Sequence, residues 1–222
     1  MNICGYGEDF LTLWTVKNEM QSIIREIEEM SNSNKPLILY RPSFGRGGRS
    51  LSNFGEFDLI FATNKIYLVE SKWERSSEVR GGQRNKYLRI SATQEIRHKK
   101  LEWYLIKSIE YLNRDFNNWN DFRAQFNQEF NEKFQYIDKH GDIRYPTIPE
   151  QTSILANNIY NVSKLLRDQI SRPITADMIE DILLYFYSYE ENMIQCFEGP
   201  FTLVQRQFEP QDNSYLVNLT EA

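Results

Sequence analysis

Cysteine and histidine are almost missing from this 222-residue chain: there are two of each, and Cys4 and Cys196 lie far apart with no Cys-x-x-Cys pair. That excludes a zinc knuckle and a disulfide framework. Any bound metal must lean on carboxylates and carbonyls, the ligands of hard cations such as magnesium or manganese. No stretch approaches the roughly 18 uninterrupted apolar residues of a membrane span, and Met1–Phe10 carries no basic cluster followed by an apolar run. The expectation is a soluble, cytoplasmic protein with no membrane partner. Repeats and low-complexity linkers are also absent. What the chain does have is 41% apolar and 14% aromatic residues, enough to bury a core in one domain, or one domain plus an appendage.

Positive charge is scarce overall but uneven. The net charge is −5, yet residues 36–114 hold 15 Lys+Arg against 8 Asp+Glu, a balance of +7 that leaves −12 for the rest. A basic segment suits a phosphate-rich partner. A solvated surface would carry the same clustering equally well.

Leu13, Val16, Met20, Ile23, Ile24, Ile27 and Met30 recur at three- and four-residue spacing, which predicts one amphipathic helix over residues 10–30. Leu37–Tyr40 reads as a short strand and Ser43–Asn53, around Gly45-Arg-Gly-Gly-Arg49, as a basic loop. Phe57–Ala62 and Ile66–Trp73 read as an antiparallel hairpin turning at Thr63-Asn64. Glu74–Arg89 is a polar connection. Ser91 and Gln94 then match a capping box that opens a helix running to about Leu112. Further on, Phe134–Ile137 and Ile143–Thr147 flank Lys139-His-Gly-Asp142 as a second hairpin. Ile154–Ile170 and Ala176–Tyr189 read as helices, and Phe201–Phe208 and Tyr215–Leu219 as closing strands. Phe116, Trp119, Phe122, Phe126, Phe130 and Phe134 form an aromatic stripe suited to core or dimer packing.

The chemistry concentrates between Gly55 and Trp73. Side chains alternate along a strand, so Glu70 and Lys72 share one face while Val69 and Ser71 take the other, and Asp58 lies on the neighbouring strand. Carboxylates gathered at the end of apolar strands are costly unless a cation compensates them. Asp58 and Glu70, with the carbonyl of Ser71, have the donor set for magnesium or manganese. Lys72 is placed to orient a water or to offset charge on a phosphate. A bare Glu-x-Lys pair is common on exposed strands. Here, however, the pair closes an apolar run and an Asp sits twelve residues earlier.

With these residues in place the chain resembles the PD-(D/E)xK nuclease superfamily, in which restriction endonucleases, archaeal Holliday-junction resolvases and recombination nucleases share a helix, three-strand, helix, strand core. Asp58, Glu70 and Lys72 fall on its Asp and Glu-x-Lys positions, with Ser71 in the variable place. Gly55-Glu-Phe-Asp-Leu-Ile60 and Leu68-Val-Glu-Ser-Lys-Trp73 look most like the resolvase-related branch. The resemblance covers about residues 10–113. It implies an α/β (α+β) fold with a restriction-endonuclease-like mixed sheet flanked by helices. Residues 1–113 would be the nuclease core, and 114–222 an accessory helical and strand region that completes the sheet or mediates dimerisation. It also implies a glutamate from the first helix. Glu19 and Glu26 lie on the same flank of the apolar stripe, and the Ser43–Asn53 insertion prevents spacing from choosing between them. Gln83-Arg-Asn-Lys-Tyr87 is similar to a Gln-xxx-Tyr element of the recombination branch, a pattern short enough to arise by chance.

The implied activity is magnesium- or manganese-dependent hydrolysis of DNA, as an endonuclease in repair, recombination or defence against foreign DNA, in a possible homodimer. Arg46, Arg49, Arg75, Lys99 and Lys100 are the expected backbone contacts. His98, at the basic helix start, is expected to meet phosphate or solvent. Two alternatives stand beside this reading: a catalytically silent module that binds nucleic acid or protein, and a ribonuclease.

Overall fold

A computed structural model describes residues 2–5, 7–28, 35–44, 55–82, 86–112, 124–125, 128, 136–137, 143–144, 154–209 and 215–218. The chain is a mixed α/β protein built around a five-stranded sheet and a second, three-stranded one. Its contacts divide into two compact units. One comprises Met1–Pro42, Phe57–Ser91 and Glu180–Ala222, and the other Ser43–Glu56 and Ala92–Ile179.

The first unit opens with β1 (Asn2–Gly5), which pairs antiparallel with the last strand of the chain, Tyr215–Asn218. Two short helices follow, α1 (Gly7–Asn18) and α2 (Met20–Ile27), in place of the single helix that the apolar stripe predicts over 10–30. The break is at Glu19, whose backbone leaves helical geometry at φ −124°, ψ 1°. The hydrogen bonds from Glu19 N to Thr15 O and from Ile23 N to Glu19 O still bridge it. The structure also starts the first helix at Gly7, three residues before the expected start at residue 10.

Strands β2 (Leu37–Tyr40), β3 (Leu59–Ala62) and β4 (Ile66–Trp73) form an antiparallel meander, with Leu59 opposite Val69 and Phe61 opposite Tyr67. The Phe61 and Tyr67 rings stack at 4.6 Å. Beyond β4 come two short strands, β5 (Val79–Arg80) and β6 (Lys86–Arg89), where the sequence predicts a polar connection. Each has a single inward apolar position, Val79 and Leu88, too little to produce a periodic signal.

The second unit contains α3 (Ala92–Leu112), the hairpin β7 (Tyr136–Ile137) and β8 (Ile143–Arg144), and α4 (Ile154–Ile170), which packs on α3. The aromatic stripe of residues 116–134 and the arginines Arg46 and Arg49 lie outside the described residues.

The chain then returns to the first unit through β9 (Ile179–Tyr187), β10 (Ile194–Glu198), β11 (Thr202–Gln207) and β12 (Tyr215–Asn218). The helix expected over Ala176–Tyr189 is instead one 3-10 turn, Ala176–Met178, and then β9. The reason is burial on both faces. Ile182, Leu184 and Phe186 join the core beneath α1 and α2, while Leu183 and Tyr185 pack against Leu88, Ile90, Ile194 and Phe201. A strand covered on both sides loses its apolar–polar alternation and reads as a continuous apolar run.

The main sheet therefore runs β11-β9-β4-β3-β2, with β11 parallel to β9, and the small sheet runs β10-β6-β5. Strands from residues 114–222 complete the sheet that carries Glu70 and Lys72. The principal core gathers Leu11, Met20, Ile23 and Ile24 against Leu59, Phe61, Tyr67, Val69 and Val204. Each such side chain contributes roughly 1.5–3 kcal/mol when fully buried. No helix among the described residues is long and apolar enough to cross a membrane.

Candidate active site

Strand β4 is buried along nearly its whole length, so its two ionisable residues sit where charge is expensive: Glu70 and Lys72 are 4% and 7% exposed. They answer each other, with Lys72 Nζ donating to Glu70 Oε1 at 3.0 Å. Asp58 immediately precedes β3, and the register that pairs Leu59 with Val69 places it opposite Glu70 when continued by one step. Its Oδ2 accepts the backbone N–H of Ser71 at 2.7 Å. The three residues singled out in the sequence are thus neighbours at one end of β3 and β4.

The helix glutamate is neither of the two expected. Glu19 and Glu26 both turn to Arg206, at 3.2 and 2.7 Å, and form a salt-bridge cluster with β11. Glu8, in the first turn of α1, is the one that approaches Lys72 Nζ, at 3.7 Å. Extending the polar row of α1 backwards from Glu19 through Thr15 and Thr12 at helical spacing reaches Glu8, so the sequence does carry the signal. It is masked because the apolar stripe begins only at Leu13.

Thr12 escapes the sequence pattern for the same reason. Its hydroxyl, fully buried, donates to the Glu8 carbonyl at 2.9 Å and shares a 2.8 Å hydrogen bond with the Ser71 hydroxyl. This ties the α1 turn carrying Glu8 to the β4 residue between Glu70 and Lys72.

Electrostatics sets this cluster apart. The Glu8 carboxyl is pushed up to about 7 by burial, with Asp58, Glu70 and Glu78 adding repulsion and Lys72 opposing them. Burial also works against the charge on Lys72, but Glu70 and Glu8 more than offset it and hold the ammonium above its usual range. Glu78, on the turn after β4, is pushed up by its own burial. A hydrogen bond from Ser76 and the Lys72 charge outweigh this and hold it below the ordinary carboxylate value. Glu8, Glu70 and Glu78 thus act on one lysine, and Asp58 adds to the charge at Glu8.

The turn beyond β4 is anchored by Glu74, which accepts from Ser188 N at 2.8 Å, Ser188 Oγ at 2.7 Å and Asn192 Nδ2 at 2.7 Å. Arg75 is exposed, with its guanidinium 5.6 Å from the centre of the Trp73 ring. In the second unit Lys99 pairs with Glu95 on its own helix. Lys100 is buried, and desolvation pulls its ammonium down to about 8. His98 is fully buried, not at the surface as its basic surroundings suggest, because it falls on the packed side of α3.

Among the described residues, no three His, Cys, Asp or Glu side chains are gathered as a metal centre. Comparison of the chain with protein-family models, with curated proteins and with solved structures found no match.

Proposed function

We propose that this chain is a metal-dependent nuclease of the PD-(D/E)xK type that hydrolyses DNA phosphodiesters, with Asp58, Glu70, Lys72 and Glu8 as its centre. The observation that carries this reading is the convergence of Glu8 and Glu70 on the buried Lys72, with Asp58 held on the intervening Ser71 amide. The raised carboxyl of Glu8 supports it, since burial, joined by Asp58, Glu70 and Glu78, outweighs the opposing pull of Lys72. Carboxylate oxygens are the donors a hard divalent cation takes, although among the described residues no three of them are gathered as a metal centre. Asp58, Glu70 and the Ser71 carbonyl, joined by Glu8, are the groups that would hold magnesium or manganese. When bound, the ion supplies Lewis acidity at a phosphate oxygen and acidifies a water.

The protein's own groups do the rest. Lys72 presents its Nζ to the attacking water or to the charge that grows on the phosphate. The Ser71 amide fixes Asp58 by a charge-assisted bond. Glu8, raised by burial without the ion, would be returned to its ionised form by the positive charge of a bound cation. Water adds to phosphorus, the ester oxygen leaves with a proton, and the products are a phosphomonoester and a hydroxyl end.

A catalytically silent binding module has one observation in its favour: in the arrangement described, Lys72 itself supplies positive charge to Glu70 and Glu8. The experiment that separates the two readings incubates wild type, Asp58→Ala and Lys72→Ala with plasmid, single-stranded and branched DNA and with RNA, in magnesium or manganese. Cleavage of DNA by wild type, with losses of about 100-fold or more in both variants, is expected. Equal inertness of all three while nucleic-acid binding persists establishes the binding module, and preferential cleavage of RNA reassigns the substrate.

A further inference from the structure

The small sheet β10-β6-β5 has two unlike faces. Val79 and Leu88 are register partners, as are Leu88 and Phe197, and these side chains pack inward with Ile194 around Leu183 and Tyr185. The alternation of a strand then turns Arg80, Tyr87, Arg89, Cys196 and Glu198 outward. Arg80, Arg89, Cys196 and Glu198 are exposed, as this requires. Arg80 stands opposite Tyr87 in the register, and Arg89 is two residues along from it, so Tyr87 neighbours both guanidinium-bearing positions on this face.

Neither Arg80 nor Arg89 has an ion-pair partner among the described residues. Glu198 is opposite Arg89 in register, and its carboxylate accepts the Tyr87 hydroxyl at 2.7 Å. This tether fixes the ring against Glu198, so the face carries two arginines against one acid among its described residues. The face also adjoins the catalytic cluster in sequence: Glu78, which acts electrostatically on Lys72 and Glu70, directly precedes Val79 and Arg80.

We propose that this outer face binds single-stranded nucleic acid, with Arg80 and Arg89 on successive phosphates and the Tyr87 ring under a base, and leads the strand to the Lys72 cluster. The proposal rests on the nuclease reading above and names the form of substrate the site takes. Diagonal neighbours on a sheet face lie about 7–8 Å apart. At that spacing the two guanidinium groups meet separate phosphates of one strand. A partly exposed ring beside the two arginines offers any base a stacking surface without reading its sequence. A duplex keeps its base faces covered and gains only the phosphate contacts. An acidic peptide would use the arginines and leave the ring idle.

The test measures fluorescence anisotropy of a labelled single-stranded oligonucleotide and of its duplex, with the full chain in chelator to prevent cleavage, across a series of salt concentrations. For Arg80→Gln/Arg89→Gln, the slope of log affinity against log salt for the single strand should fall by about 1.4, two contacts at about 0.7 each. Tyr87→Ala should weaken single-strand binding roughly ten-fold and leave the duplex nearly unchanged, with Tyr87→Phe, which keeps the ring, close to wild type. Unchanged slope and affinity in the variants overturn the proposal while the nuclease reading stands. An equal loss on duplex and single strand overturns it in favour of a plain electrostatic patch. If wild type neither binds nor cleaves any nucleic acid, the nuclease reading falls and this proposal with it.

Discussion

Replacing Glu8 by Gln should stabilise the metal-free protein and disable it at the same time. The side chain is about three-quarters covered, 26% exposed, and its carboxyl is raised from 4.5 to about 7, first by burial and then by Asp58, Glu70 and Glu78 against the opposing pull of Lys72. The folded chain therefore binds this proton more tightly than the unfolded chain does. Folding is favoured at low pH, and the contribution is lost as pH rises through the window from 4.5 to about 7. A difference of about 2.5, at about 1.36 kcal/mol for each, sets an upper limit of roughly 3 kcal/mol, which residual solvent lowers. Gln keeps the size and never ionises. In urea unfolding with chelator present, Glu8→Gln and wild type should be nearly equal at pH 4. The variant should gain steadily toward pH 8, by up to about 3 kcal/mol, while cleavage in magnesium collapses. A stability difference that stays flat between pH 4 and 8, or a variant weaker than wild type at pH 8, refutes the claim that Glu8 is held ionised at a cost.

Three other substitutions probe the supports of the site. Thr12→Val strands the buried Ser71 hydroxyl and should cost about 1–3 kcal/mol in denaturant unfolding, largely recovered by Thr12→Ser; Thr15→Val, one turn on, removes a buried hydroxyl with no hydrogen-bond partner among the described residues and should be neutral or stabilising. Glu74→Ala removes the acceptor of three hydrogen bonds from Ser188 and Asn192 and should cost about 2–3 kcal/mol, read by thermal or urea melting. Gly55→Ala forces φ +75° on a residue with a Cβ, which would stand 2.7 Å from Arg97 Cδ; a loss of about 1–2 kcal/mol or more is expected, and a stability equal to wild type would mean that the turn relaxes freely.

How legible each part of the molecule is in the sequence depends on how local its signal is. The β3–β4 hairpin is encoded within Phe57–Trp73 by apolar runs and a tight turn, so the sequence alone brings Asp58, Glu70 and Lys72 together. The same holds for the capping-box start of α3. Glu8 escapes because helix starts lie at the least periodic part of an amphipathic pattern, and because Glu19 and Glu26 mark the same flank. What separates them is Arg206, far along the chain, which claims the later pair. Strand β9 escapes because its identity is decided by what covers it. Ile182–Tyr187 is apolar on every position, and only the packing of helices on one face and the small sheet on the other makes it a strand. The exposed face of Arg80, Tyr87 and Arg89 likewise exists only once β10 pairs with β6 from the far end of the chain.

Lys72 decides whether these carboxylates are built around a metal or around the lysine itself. It is the cation that acts on both Glu8 and Glu78, and it is hydrogen-bonded to Glu70 in surroundings that leave it 7% exposed. Lys72→Met keeps most of the buried stem and removes the charge, leaving Glu70 with an uncompensated carboxylate; breaking such a pair costs about 3–5 kcal/mol. If the carboxylates are arranged to receive a divalent ion, magnesium should restore a large part of that loss, because the ion supplies the missing positive charge. Thermal melting of both proteins across a magnesium titration then distinguishes the readings. A rise in melting temperature larger for Lys72→Met than for wild type, reversed by chelator, is the signature of carboxylates built around a cation. A deep loss of stability that magnesium leaves untouched would make Lys72 a structural counter-ion in a binding module. In that case the convergence of Asp58, Glu70 and Glu8 would be a folding solution and not a catalytic one.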